Sequence, residues 1–177
     1  MAKSLLFSIA LLLFAVFAFP IIYSNSQVVN SNNKVAYELP NAGILPDHPL
    51  YFLKAARDRA SELTLRDSIK RAELYLLLSD KRVEMADLLF QKGKDKLAIT
   101  TLSKGEKYFL KIPDLLLTSR KQGVRYSESF VLKLKLSNSK HREIIEKYIQ
   151  QVPQGEIEEL DQILKYNQQI KERLNTL

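Results

Sequence analysis

The chain has 177 residues, a net charge of +7 and 46% apolar side chains, the content of about one folded domain and not of a disordered polymer. Five glycines and six prolines are too few for a turn-rich β-sandwich or a collagen-like repeat. The absence of cysteine excludes disulfides, thiolate zinc sites, iron–sulfur clusters, a lipoprotein-type anchor and cysteine nucleophiles, and with no Trp and only two His the catalytic inventory is thin.

After Met1, Ala2 and Lys3, the run Leu5 to Tyr23 carries no charge and one polar residue, Ser8. Nineteen helical residues at ~1.5 Å each reach about the ~30 Å hydrocarbon thickness of a bilayer. The flanking Lys3, with no further charge before Lys34, orients such a segment with its N-terminus inside and the rest of the chain outside. Residues 1–23 are therefore expected to be a signal-anchor transmembrane helix or a signal peptide. Ser24-Asn25-Ser26 offers small residues for a cut before Gln27, so the protein is either a single-pass membrane protein with an extracytoplasmic domain or a secreted one. Residues 24–44 mix Asn and Ser with Pro40 and Gly43 without an apolar period, which predicts a flexible, exposed tether.

From residue 45 to 177 the pattern is helical throughout. Asp47-His48-Pro49 reads as a helix start, with Asp47 as the expected cap, followed by Leu50, Leu53, Ala56, Ala60 and Leu63 at helical spacing. Asp67 opens a second helix with Ile69, Ala72, Leu76, Val83, Ala86 and Phe90 on one face, stopped at Gly93. A third begins at Asp95 and carries Ala98, Leu102, Gly105, Phe109, Ile112 and Leu116; Gly105 inside that stripe predicts a close helix–helix approach, and Pro113 should kink or shorten the end. Ser127 begins a fourth helix, with Phe130, Leu134, Ser137, His141, Ile144, Tyr148 and Val152 as its stripe. Locally, Val131 to Leu136 alternates as a strand would, but a strand without a partner would be unsatisfied. The fifth runs from about Glu156 through Leu160, Ile163, Asn167, Ile170 and Leu174, a coiled-coil-like seam with Asn167 as a register pin. The fold class is thus all-α: an N-terminal transmembrane or signal helix, then an antiparallel bundle of about five helices.

The segment Ile44-Leu45-Pro46-Asp47-His48-Pro49-Leu50-Tyr51-Phe52-Leu53-Lys54 resembles an uncharacterised family of bacterial envelope proteins that opens with Leu-Pro-x-x-Pro-Leu-Tyr-x-Leu-Lys after a membrane segment. Lys70-Arg71-Ala72-Glu73-Leu74 and the Lys92-Gly93 step are similar to that family's next helix. The resemblance implies a helical, usually membrane-anchored domain of unknown function, and it carries over no catalytic residues. In the motif itself, Pro46 and Pro49 stiffen the entry, Leu45 and Leu50 are placed to staple the helix start, and Tyr51 with Phe52 to cap the end of the bundle. Pro46, Pro49, Tyr51 and Lys54 are accordingly candidate interaction residues, beside the simpler reading of a folded helix entry.

Charge supplies the other candidates. Residues 92–147 hold 14 basic and 6 acidic residues, while 27–91 balance at nine of each. An outward-facing basic surface including Lys104, Lys107, Lys111, Lys133 and Lys135 would attract anionic lipid headgroups or wall polymer, if these are not simply solvated positions. Export argues against nucleic acid. His141 lies on an apolar stripe, as a core histidine does, with pH titration or metal binding as the alternatives. Neither a His-Glu-x-x-His nor a Glu-x-x-His spacing occurs, so no metal or cofactor is assigned. Glu156, Glu158, Glu159 and Asp161 are accounted for by a helix N-terminus.

The favoured reading is a non-enzymatic, membrane-tethered helical interaction module of the bacterial envelope. Its partners would be the membrane, through the anchor, and a protein or an anionic envelope surface. An extracytoplasmic sensor or chaperone-like adaptor answering metal or pH through His141 and His48 is the second reading, and an enzyme of unrecognised type the third. Oligomeric state is left open.

Overall fold

The computed structural model describes residues 35–177 and is helical over them, with no strand among the described residues. The apolar run at 1–23 and the first part of the spacer lie outside the described residues. No helix among the described residues is long and apolar enough to cross a membrane.

Six helices follow in order: α1 (Tyr51–Thr64), α2 (Ser68–Gln91), α3 (Asp95–Phe109), α4 (Ile112–Lys121), α5 (Glu128–Ile149) and α6 (Gln154–Asn175). Local chemistry sets several of the boundaries. Asp67 caps α2 by accepting from the Lys70 amide at 2.8 Å, and Ser127 caps α5 by accepting from the Phe130 amide at 3.2 Å. Gly93 and Gly123 end their helices with φ of +68° and +78°, the left-handed geometry that favours glycine. The alternating segment 131–136 is helical. The third apolar stripe divides into two helices, α3 and α4. Pro113 stands in the first turn of α4, where its missing N–H costs nothing, so the chain breaks at Leu110-Lys111 instead of kinking.

α2 and α3 form one antiparallel hairpin, and α5 and α6 another. α2 packs on α3 and α5, and α6 packs on α3 and α5, so α3 and α5 face one another only across the core. Two apolar clusters fill the interior. One joins Val83, Leu89, Ile99, Leu102, Ile145 and Ile163; the other joins Tyr75, Leu76, Phe109, Leu116, Leu134 and Ile170. The order in which each helix meets the clusters shows that α2 and α5 run one way and α3 and α6 the other, so the hairpins are antiparallel internally and lie parallel to each other. α4 closes the end at the second cluster through Ile112 and Leu116.

Gly105 is the close approach that its place in the stripe predicts. A Cβ there would lie 3.3 Å from the Ser79 carbonyl oxygen and 3.3 Å from Arg82 Cβ. Ser79 Oγ uses the proximity to donate to the Gly105 carbonyl at 2.9 Å.

The segment 35–44, expected as exposed tether, is instead strapped to the bundle. Tyr37 and Ala42 are buried, and the Val35 amide donates to Glu143 Oε2 at 2.9 Å. Polar composition hid this, because a buried Tyr and Ala among Asn, Pro and Gly form no period. The capping role expected of Asp47 is also corrected. The helix starts later, at Tyr51, and Asp47 pairs with Lys94 at 2.8 Å and Lys92 at 3.4 Å, tying the entry to the α2–α3 turn.

Candidate functional site

A polar layer lies between the two apolar clusters, built where each of the four seams is interrupted. α2 contributes Ser79 and Asp80, α3 Glu106, α5 Ser137, Asn138 and His141, and α6 Asn167, all buried. His141 is at its centre and 0% exposed. Its Nδ1 meets Glu106 Oε1 at 2.7 Å and its Nε2 meets Asp80 Oδ1 at 2.9 Å. Carboxylates only accept, so both ring nitrogens donate and the ring is an imidazolium. Burial alone favours the neutral ring, but the Glu106 and Asp80 carboxylates outweigh it and raise the pKa from the usual 6.5 to about 9. The Phe109 ring stands edge-on to the imidazole, with centroids 5.4 Å apart.

Further donors converge on Asp80. Ser137 Oγ donates to Oδ1 at 2.6 Å, and the Tyr37 hydroxyl, brought in by the strap, donates to Oδ2 at 2.5 Å. Burial first, and then the adjacent carboxylate, hold the Tyr37 phenol well above its ordinary pKa. Two carboxylates and one imidazolium leave a formal negative charge in the layer, which these hydroxyl donors partly compensate. On paper Ser137, His141 and Glu106 follow a nucleophile–base–acid order. However, the Ser137 hydroxyl donates its hydrogen bond to Asp80 and each of the three is 0% exposed, so the arrangement clamps α2, α3 and α5 together. Alongside it, the Asn138 and Asn167 side-chain amides donate to each other's backbone carbonyls at 3.1 and 2.9 Å, fixing α5 against α6. This is the pinning role expected of Asn167.

The second feature is α1, which is turned inside out. Of the stripe that begins at Leu50, Leu53 is 55% and Leu63 74% exposed, and Phe52 beside it is 63% exposed. The opposite row of Lys54, Asp58 and Glu62, spaced i, i+4, i+8, is buried. That row has partners that the apolar row lacks. Lys54 Nζ donates to the carbonyls of Ala42 at 2.5 Å and Ile44 at 3.2 Å, and burial lowers its pKa from 10.5 to about 8. Asp58 pairs with Arg57 at 3.0 Å and lies near Lys81 of α2. Glu62 accepts from the Tyr108 hydroxyl and pairs with Arg59 at 3.1 Å.

These facts relocate several sequence candidates. Lys54 is a buried structural contact and is not presented to a partner. Tyr51 and Pro46 are half-buried at the entry and Pro49 is exposed. Leu50 is 48% exposed, and Phe52 points outward, so neither the expected staple nor the expected end cap forms there. Lys104 and Lys107 on α3, Lys111 just before α4, and Lys133 and Lys135 on α5 are all exposed. Lys111 lies 5.0 Å over the Tyr75 ring and 4.7 Å over the Tyr108 ring. His48 is exposed, far in sequence from His141, with Nδ1 accepting from the Leu50 amide at 3.1 Å. Among the described residues no group of three or more His, Asp or Glu is arranged to hold a metal ion.

Asp80 and Glu106 were not singled out from the sequence, although a signal existed. Asp80 occupies the gap between Leu76 and Val83 in one seam, and Glu106 the gap between Leu102 and Phe109 in another, level with His141 and Asn167 in theirs.

No curated protein and no solved structure matches the chain. A family model, described as a domain of unknown function (DUF5667), matches residues 43–169, which takes in α1 to α5 and most of α6. With most of its length covered by that match, the chain belongs to the DUF5667 family.

Proposed function

We propose that this chain is a membrane-tethered, extracytoplasmic helical module of the bacterial envelope that works by docking and not by catalysis. The observation that carries the reading is α1: a helix held to its own domain by charges and displaying apolar side chains to its surroundings. Five of the eight large hydrophobic residues that are exposed among the described residues lie between Ile44 and Leu63. A concentration of that kind marks an interaction surface. The polar layer serves the same end by giving the bundle a fixed register on which the face is presented. The tether rests on the uncharged run Leu5 to Tyr23 and the charge asymmetry around it.

Because the chain has no cysteine, one introduced thiol reports on one position. In intact cells producing Lys171→Cys protein, a membrane-impermeant maleimide should label the exposed α6 position. The labelled chain should stay with membranes in alkaline carbonate and leave them in detergent. Labelling only after lysis, or recovery of the chain free of membranes, refutes the proposal.

A further inference from the structure

We infer that the outward face of α1 seats in the interfacial region of an anionic lipid bilayer, as a second membrane contact beside the N-terminal segment; the inference rests on the tethered reading above. Phe52, Ala56 and Leu63 lie along one line of the helix, with Leu53 and Ala60 beside it, and Phe52, Leu53, Ala56 and Leu63 are exposed. Arginines flank this apolar band: Arg57 and Arg59, paired inward with Asp58 and Glu62 respectively, keep their side chains 45% and 66% exposed, and Arg66 follows just beyond the helix. Both acidic residues of α1, Asp58 and Glu62, are turned inward and buried, so every charged group that α1 shows to its surroundings is a guanidinium. An apolar strip with cationic edges and no outward carboxylate is the pattern of a helix lying in the headgroup–acyl boundary of an anionic membrane.

A second copy of the chain fits this face less well, since two such faces would bring arginine edges against arginine edges. Geometry also favours the bilayer. Eleven residues separate Tyr23 from Val35, a span of at most about 40 Å, so a domain anchored by the apolar run is held within reach of the same membrane. Tethering turns even a weak interfacial contact into a repeated, intramolecular one.

The test uses the full chain reconstituted into vesicles of equal parts phosphatidylglycerol and phosphatidylcholine. An environment-sensitive fluorophore is attached at Ala56→Cys, at Leu63→Cys or, on the opposite side of the bundle, at Lys171→Cys, with helix content checked by circular dichroism. The α1 probes should show blue-shifted emission, quenching by spin-labelled lipid and several-fold weaker quenching by aqueous iodide than the probe at 171. Burial should lessen in phosphatidylcholine alone. Probes at 56 and 63 as open to iodide as the one at 171 would overturn the proposal, as would burial unchanged by removing the anionic lipid. Intermolecular disulfides at Leu63→Cys that persist in detergent would overturn it in favour of a second copy. A chain that fails to float with vesicles at all brings down the tether and the α1 contact together, whereas one that floats with aqueous α1 probes brings down only the latter.

Discussion

α1 and α5 are both amphipathic, and both carry charged groups on the side that faces the protein, but they obtain opposite results. In α5, His141 is drawn into the centre because two carboxylates wait there, and the apolar residues around it follow it inward. In α1, Lys54, Asp58 and Glu62 are drawn against α2 and α3, and the apolar residues are left outside. The contrast shows that apolar periodicity identifies a helix but does not decide which face is buried. That choice depends on whether the polar row or the apolar row finds complementary partners on the body it meets.

The comparison can be broken most sharply at His141. His141→Ala leaves Asp80 and Glu106 buried without their shared cation, and should cost about 3–5 kcal/mol in urea unfolding. The pH dependence should be of similar size. The folded-state pKa of His141, about 9, is above its unfolded value of 6.5. The clamp's contribution, about 3 kcal/mol, is therefore complete below about pH 6.5 and is lost as pH rises through about 9. Lys54 acts in the opposite direction, since its folded pKa of about 8 lies below 10.5 and the cost of burying its charge diminishes as pH rises through 8. Lys54→Met should thus steepen the alkaline loss of stability, and the His141 imidazole resonances should titrate near pH 9 by NMR.

The apolar core provides the next test. Leu102→Ala, at a fully buried position, should cost about 2–5 kcal/mol in the same unfolding assay. Gly105→Ala sets a helix-propensity gain of up to ~1 kcal/mol against crowding of the Ser79 carbonyl, which is backbone and held in place by the Ser79–Gly105 hydrogen bond. A net loss of about 1 kcal/mol is expected. Leu63→Ala should shift stability by no more than about 0.5 kcal/mol, because that side chain is already in solvent. A core-sized loss at Leu63 would mean that α1 does not sit as described.

Much of the bundle was readable in advance because its seams are long and regular. The caps at Asp67 and Ser127, the close approach at Gly105, the buried His141 and the pin at Asn167 all follow from spacing or local backbone chemistry. The orientation of α1 was not readable, since it depends on Tyr108, Lys81 and the Ala42 carbonyl, groups brought together only by the fold. The same holds for the strap, where Tyr37 has no periodic neighbours and acquires its role from an aspartate 43 residues away. The division of the third stripe was half-legible: Pro113 signals an interruption, but whether it bends a helix or begins another is settled by the core residues on either side.

The strap also determines how the molecule carries a mechanical load. A pull on the N-terminal side of the chain meets Val35 on Glu143 and Tyr37 on Asp80 before it reaches α1, whose own Lys54 holds the Ala42 carbonyl. Tension is therefore delivered to the middle of the bundle, at the layer where α2, α3 and α5 are clamped, and several bonds must shear in succession before any helix can be peeled from its end.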